Sequence, residues 1–95
     1  MSNKRYKLRV PDSVAKLLQN AHPLIKKKIR ASLKMILIDP NEGKALKDEL
    51  KGLRSFRVSR FRIIYRVLQR KEIEIIAIGP RDRIYEDTLR ILKSE

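Results

Sequence analysis

The residues of this chain best suited to chemistry are arginines and tyrosines. In the stretch SFRVSRFRIIYR, Ser55 to Arg66, arginine recurs at 57, 60, 62 and 66 among apolar and aromatic neighbours. If Ser59 and Arg60 form a two-residue turn, the flanking strands are antiparallel, and Val58 pairs with Phe61, Arg57 with Arg62 and Phe56 with Ile63. Alternation then sends Phe56, Val58, Phe61, Ile63 and Tyr65 to one face, and Ser55, Arg57, Arg62, Ile64 and Arg66 to the other. Like charges placed directly opposite each other cost a sheet up to about 1 kcal/mol. Fold stability therefore gives no reason for an Arg57–Arg62 pair, whereas an anion held between them removes the penalty.

The neighbourhood has the same character. From Lys51 to Lys71 the chain carries Lys51, Arg54, Arg57, Arg60, Arg62, Arg66, Arg70 and Lys71 without one acidic residue, and GPRDRIYED adds Arg81, Arg83 and Tyr85. A guanidinium fork matches phosphate oxygens bidentately and stays charged, and a tyrosine can stack on a base or donate a proton. These residue types point to a phosphate site. They also have an ordinary reading: a solvated strand face, Arg83 paired with Asp82 or Glu86, and Tyr65 and Tyr85 at a core edge. His22, beside Pro23, reads as a turn residue at the surface. No carboxylates stand at metal-ligand spacing: Asp39 and Glu42 flank a turn, Asp48 and Glu49 face solvent, and Glu86 and Asp87 suit the first turn of a helix.

Without histidine pairs or a metal cluster, the mechanisms narrow toward a substrate that brings its own nucleophile. RNA does so in its ribose 2′-hydroxyl, whereas DNA hydrolysis usually needs a metal-activated water. Arginines can orient the reacting group and stabilise charge on the phosphorane. None of these residue types is a natural proton shuttle at neutral pH, so efficient reaction on free RNA would require a partner that completes the site.

The elements that must position these groups follow from periodicity. YKLRV, 6 to 10, is a short strand ended by Pro11. A helix carrying Val14, Leu17 and Leu18 follows and stops near His22-Pro23; a second runs from about 24 to 38, with Ile25, Ile29, Leu33 and Ile36 on one stripe. DPNEG, 39 to 43, is a turn, and 44 to 52 reads equally as a short helix or as a loop pinned by Ala45, Leu46, Leu50 and Leu53. Strands are expected at 55–58, 61–68 and 72–78, the last two joined by the turn QRK, and YEDTLRILK is helical with Leu89 and Leu92 as its apolar contacts. The expected fold is α+β: an antiparallel sheet of about four strands, order β-α-α-β-β-β-α, carrying an N-terminal helical hairpin and a short C-terminal helix.

Ninety-five residues make one domain, 1–95. Twenty-four Lys and Arg against 11 Asp and Glu give a net charge of +13 and a pI near 10.5, which favours polyanionic partners, above all nucleic acid. The absence of cysteine excludes disulfides and thiolate chemistry and fits a reducing compartment. The longest apolar runs, Met35 to Ile38 and Ile75 to Ile78, are far short of a bilayer span, and no signal-peptide block opens the sequence. A cytoplasmic protein without membrane partners is the expectation.

LKGLRSFRVSRFRIIYRV, followed by IEIIAIGPRDRIYEDTLRIL, resembles the RelE/ParE superfamily of type II toxins, and its RelE branch more than the other. The likeness extends over nearly the whole chain in element order. It implies a metal-independent mRNA endonuclease without cofactor, acting in the ribosomal A site and leaving a cyclic phosphate and a 5′-hydroxyl. Arg62 and Arg81 would stabilise the transition state, Arg57 would hold substrate or take part in proton transfer, and Tyr85 would stack or orient. Lys51, Arg54, Arg60, Arg66 and Arg83 would be surrounding RNA- or ribosome-binding positions. An acidic antitoxin, joined in a toxin–antitoxin hetero-oligomer, mRNA and ribosomal RNA are the implied partners. Where the ribonuclease branch often shows a second basic residue before the hairpin, this chain has Ser55 or Ser59, depending on how the turn is aligned. The ParE branch shares the hairpin pattern and poisons gyrase without catalysis. A gyrase inhibitor and a degenerate RNA-binding relative are thus the competing functions.

Overall fold

The computed structural model describes residues 6–94. Element order is β1 (Lys7–Arg9), α1 (Asp12–Asn20), α2 (Pro23–Ile38), β2 (Lys44–Ala45), a 3-10 turn (Asp48–Leu50), β3 (Arg54–Val58), β4 (Phe61–Leu68), β5 (Glu72–Pro80) and α3 (Ile84–Lys93). The architecture is α+β, as the periodicity implied, with strand order β1-β5-β4-β3-β2. Two details differ from expectation. Lys44–Ala45 adds a short fifth strand, and β1 lies parallel to β5, so the sheet is mixed. Parallel pairing needs a long return path, and the intervening helices and meander supply it. Among the described residues no helix is long and apolar enough to cross a membrane.

The α1–α2 hairpin covers one sheet face. Val14, Ile29, Leu33 and Ile36 pack there on Val58, Ile63, Tyr65, Ile73, Ile75 and Ile78, with Ile25, Phe56 and Phe61 at the margin. Ile29, Leu33 and Ile36 recur at helical spacing, so one stripe of α2 enters the core. Pro23 opens α2 at its first turn, and His22 caps it, its Nδ1 accepting the Leu24 N–H at 3.1 Å. This turn histidine therefore has a structural task.

The other face is not simply a solvated basic surface. Leu53, Ile64, Ile76, Ala77 and Ile84 form a second, smaller core under α3, sealed by Leu46, Leu50, Tyr85, Ile91 and Leu92. The ambiguous segment 44–52 thus serves as a lid edge, with Leu46, Leu50 and Leu53 as its pins. On α3 the contacts are Ile84, Ile91 and Leu92 rather than Leu89.

A β-bulge between Ile64 and Tyr65 in the β4–β5 ladder shifts the register. On one side Arg66 faces Glu74 and Leu68 faces Glu72; on the other Ile64 faces Ala77 and Arg62 faces Gly79. Arg62 consequently has no side chain beside it on β5. A Cβ on Gly79 would also come within 3.1 Å of Ile84 Cδ1, so glycine here lets α3 approach the sheet.

Tyr65 fastens the 39–43 turn. Its buried hydroxyl donates to the Pro40 carbonyl at 2.8 Å and accepts the Gly43 N–H at 2.9 Å. Burial raises its pKa above the usual tyrosine value, outweighing the lowering effects of the Gly43 N–H and the Arg54 guanidinium. Of its two sequence readings, core edge or chemistry, Tyr65 takes the first.

Candidate phosphate-binding site

The β3–β4 hairpin has the register that the alternation predicts: Val58 faces Phe61, Arg57 faces Arg62 and Phe56 faces Ile63. Ser59 has φ 57°, and no positive φ occurs at Arg60, the pattern of a tight II′-type turn whose twist suits antiparallel strands. Directly opposed residues point to the same side. Arg57 and Arg62 therefore share the face away from the α1–α2 hairpin, Arg57 exposed and Arg62 half-buried.

Beyond the sheet end the chain turns through Pro80–Arg83 into α3. The Arg81 N–H donates to the Arg60 carbonyl at 3.0 Å, which ties this turn to the hairpin tip. The result is an open groove of about 590 Å³ lined by Arg57, Ser59, Arg60, Pro80, Arg81 and Asp82. One strand, the hairpin tip and a turn distant in sequence thus bring three guanidinium groups to one concave surface. Among the described residues Arg57, Arg60, Arg62 and Arg81 make no ion pair.

Arg62 and Tyr85 do not line the groove; they are joined through Ser55 on β3. Arg62 Nη1 donates to Ser55 Oγ at 3.1 Å, and Ser55 Oγ lies 3.3 Å from the Tyr85 hydroxyl. The expected set of Arg57, Arg62, Arg81 and Tyr85 is thus arranged as two linked pairs, connected by the opposition of Arg57 and Arg62. Ser55, 2% exposed, is the junction that sequence reasoning marked only as a departure from a basic pattern. Its hydrogen-bonding hydroxyl on the arginine-bearing face was the available signal. Asp82, which sequence alone suggests only as a partner of Arg83, stands on the groove wall.

The surrounding positions fare differently. Arg60 lines the groove. Lys51 and Arg83 are exposed, the latter as the residue preceding α3, and Arg83 forms no ion pair with Asp82 or Glu86 among the described residues. Arg54 lies on the opposite face, its Nη1 donating to the carbonyls of Gly43 at 2.6 Å and Asn41 at 3.3 Å. It clamps the turn that Tyr65 also holds. Arg66 pairs with Glu74 at 2.7 Å, so the basic run is neutralised there by a residue from the next strand. Among the described residues no group of three His, Asp or Glu side chains is placed to hold a metal ion.

A model of the family described as ParE toxin of type II toxin-antitoxin system, parDE, matches residues 4–85. The chain belongs to the ParE toxin family. It is a toxin of the type II toxin–antitoxin class, within the RelE/ParE superfamily that its hairpin and post-strand motifs resemble. The toxin's fold recurs in the RelBE2 toxin–antitoxin complex of Mycobacterium tuberculosis, with 24% identity, TM-score 0.71, and 81% of this chain and 99% of that one covered. A mutant of the E. coli toxin RelE in the free state matches with 18% identity and TM-score 0.72 over 90% and 96% of the two chains. The archaeal RelE–RelB complex of Pyrococcus horikoshii gives 24% identity and TM-score 0.68 over 83% and 98%. At these identities the likeness is one of fold. No curated protein sequence matches the chain.

Proposed function

We propose that this toxin is an endoribonuclease that grips one phosphodiester of mRNA in the ribosomal A site. The observation supporting this most directly is the opposition of Arg57 and Arg62 on one sheet face, with Arg57 and Arg81 lining one groove. Guanidinium forks converging from separate elements suit the equatorial oxygens of a phosphorane. The ribose 2′-oxygen attacks phosphorus as the bond to the 5′-oxygen breaks, leaving a 2′,3′-cyclic phosphate and a 5′-hydroxyl. The 2′-proton passes to solvent or to a ribosomal group, and the departing 5′-oxygen gains one. Arg57 and Arg81 hold the phosphate from the groove, Arg62 balances the charge that develops, and Tyr85 orients the nucleotide. Arg60, with Lys51 and Arg83 further out, supplies the electrostatic steering a phosphate backbone needs.

The net charge of +13 favours an acidic antitoxin as the second partner. The complexes among the similar folds support the same reading. Primer extension on translated mRNA tests the activity. Wild type is expected to give discrete stops that Arg81→Ala loses; identical patterns would remove Arg81 from the mechanism.

One observation favours a non-catalytic gyrase inhibitor instead: the family model matched is that of ParE. Inhibition of gyrase supercoiling without RNA cleavage would establish that second reading.

A further inference from the structure

We infer that Ser55 is a positioning residue that fixes the hydrogen-bond polarity of Arg62 and Tyr85, so that the Tyr85 proton is left free for the bound nucleotide. The inference rests on the ribonuclease reading above and concerns a residue outside its reacting set. Ser55 sits in β3 opposite Ile64, 2% exposed, with its hydroxyl beside that of Tyr85 at the start of α3. A guanidinium has only donors, so at 3.1 Å the Ser55 oxygen must accept from Arg62. The serine has one proton of its own, and the Tyr85 oxygen at 3.3 Å is its one side-chain acceptor among the described residues.

Two polarities satisfy the distances. If Tyr85 donated, Ser55 would accept twice and its own proton would be buried without a partner, a cost of about 1–3 kcal/mol. If Ser55 donates, all three groups are served, and the chain runs Arg62 to Ser55 to Tyr85. The phenol proton then points away from the sheet. Ser55 also ties two elements together, since Arg62 stands on β4 and Tyr85 on the first turn of α3. A fixed relation between a charge-stabilising group and an orienting donor is what phosphoryl chemistry demands of a site.

Single-turnover cleavage on programmed ribosomes decides the matter, with wild type, Ser55→Ala, Ser55→Thr, Tyr85→Phe and the Ser55→Ala/Tyr85→Phe double variant. Affinity is read separately on ribosomes carrying a non-cleavable 2′-deoxy codon, and thermal melting verifies that each variant is folded. Ser55→Ala should lose about ten- to a hundredfold in the cleavage rate constant, with affinity changed less than about twofold. Ser55→Thr, which keeps the hydroxyl, should recover most of the rate, and the double variant should be no worse than the weaker single one. Wild-type rates in Ser55→Ala, a loss confined to affinity, or additive losses in the double variant would overturn the role of Ser55 while leaving the ribonuclease intact. A wild type that cleaves nothing would instead overturn the ribonuclease reading and the positioning role with it.

Discussion

Arg57 and Arg62 stand directly opposite each other on β3 and β4, with no carboxylate paired to either among the described residues. One strand further on, the same sheet shows the alternative, since Arg66 faces Glu74 and closes an ion pair at 2.7 Å. Like charges in direct opposition work against the fold, so the pair should be a site where stability and activity diverge. Replacing Arg57 by Thr is expected to raise the unfolding free energy by about 0.2–1 kcal/mol while reducing growth inhibition. Urea denaturation and an expression assay measure the two effects, and a less stable, fully toxic Arg57→Thr would contradict the argument.

Tyr65 closes the 39–43 turn through Pro40 and Gly43 from within the core. Its Phe variant leaves a buried carbonyl and a buried N–H unpaired, which should cost about 1–3 kcal/mol. The pH dependence has a definite sign. Because burial raises the folded-state pKa, the native protein holds this proton more tightly than the unfolded chain. The contribution is fully present below the unfolded value of about 10 and is lost as pH climbs from there through the folded pKa. Wild-type stability should therefore fall more steeply above about pH 10 than that of Tyr65→Phe, a difference that paired melts across alkaline pH would expose.

Gly43 is glycine because of what lies beside it. A Cβ there would come within 2.6 Å of the Tyr65 hydroxyl oxygen, closer than such atoms approach. Gly43→Ala should destabilise by about 1–3 kcal/mol through this overpacking, and combining it with Tyr65→Phe should cost less than the sum of the two, since the second change removes the nearest of the crowded atoms and leaves only ring carbons Cε1 and Cζ, at 2.9 and 3.0 Å. Strict additivity in a double-mutant cycle would show that the clash relaxes by another route.

The turn between β4 and β5 carries Arg70 at φ 62° and Lys71 at φ 59°, left-handed conformations that disfavour ordinary side chains. Lys71→Gly should stabilise the protein by up to about 1 kcal/mol, the relief of strain exceeding the extra entropy lost. Cleavage and toxicity should be unchanged, because this turn joins the opposite ends of the strands from those bordering the arginine groove. A lowered melting temperature would mean that the Lys71 side chain holds the turn.

The hairpin was legible before any coordinates, because a two-residue turn fixes register and period-two alternation fixes faces. Arg57 and Arg62 followed directly, and so did the core positions of Phe56, Ile63 and Tyr65. The stripe of Ile29, Leu33 and Ile36 was equally plain, since a helix repeats its buried face every three or four residues. These are local rules, and they need only the residues on either side.

What lay beyond local rules was every meeting between distant segments. Sequence order does not reveal that β1 returns beside β5, that Glu74 takes Arg66, or that Arg54 turns to the carbonyls of 41 and 43. Nor does it place Ser55 between Arg62 and Tyr85. Charge and alternation along the chain determined that this protein presents arginines on one side of a hairpin. Which of those arginines stay uncommitted was decided in three dimensions, by the bulge that resets the β4–β5 ladder and by the packing of α3, because a guanidinium bonds to whatever acceptor folding brings within reach.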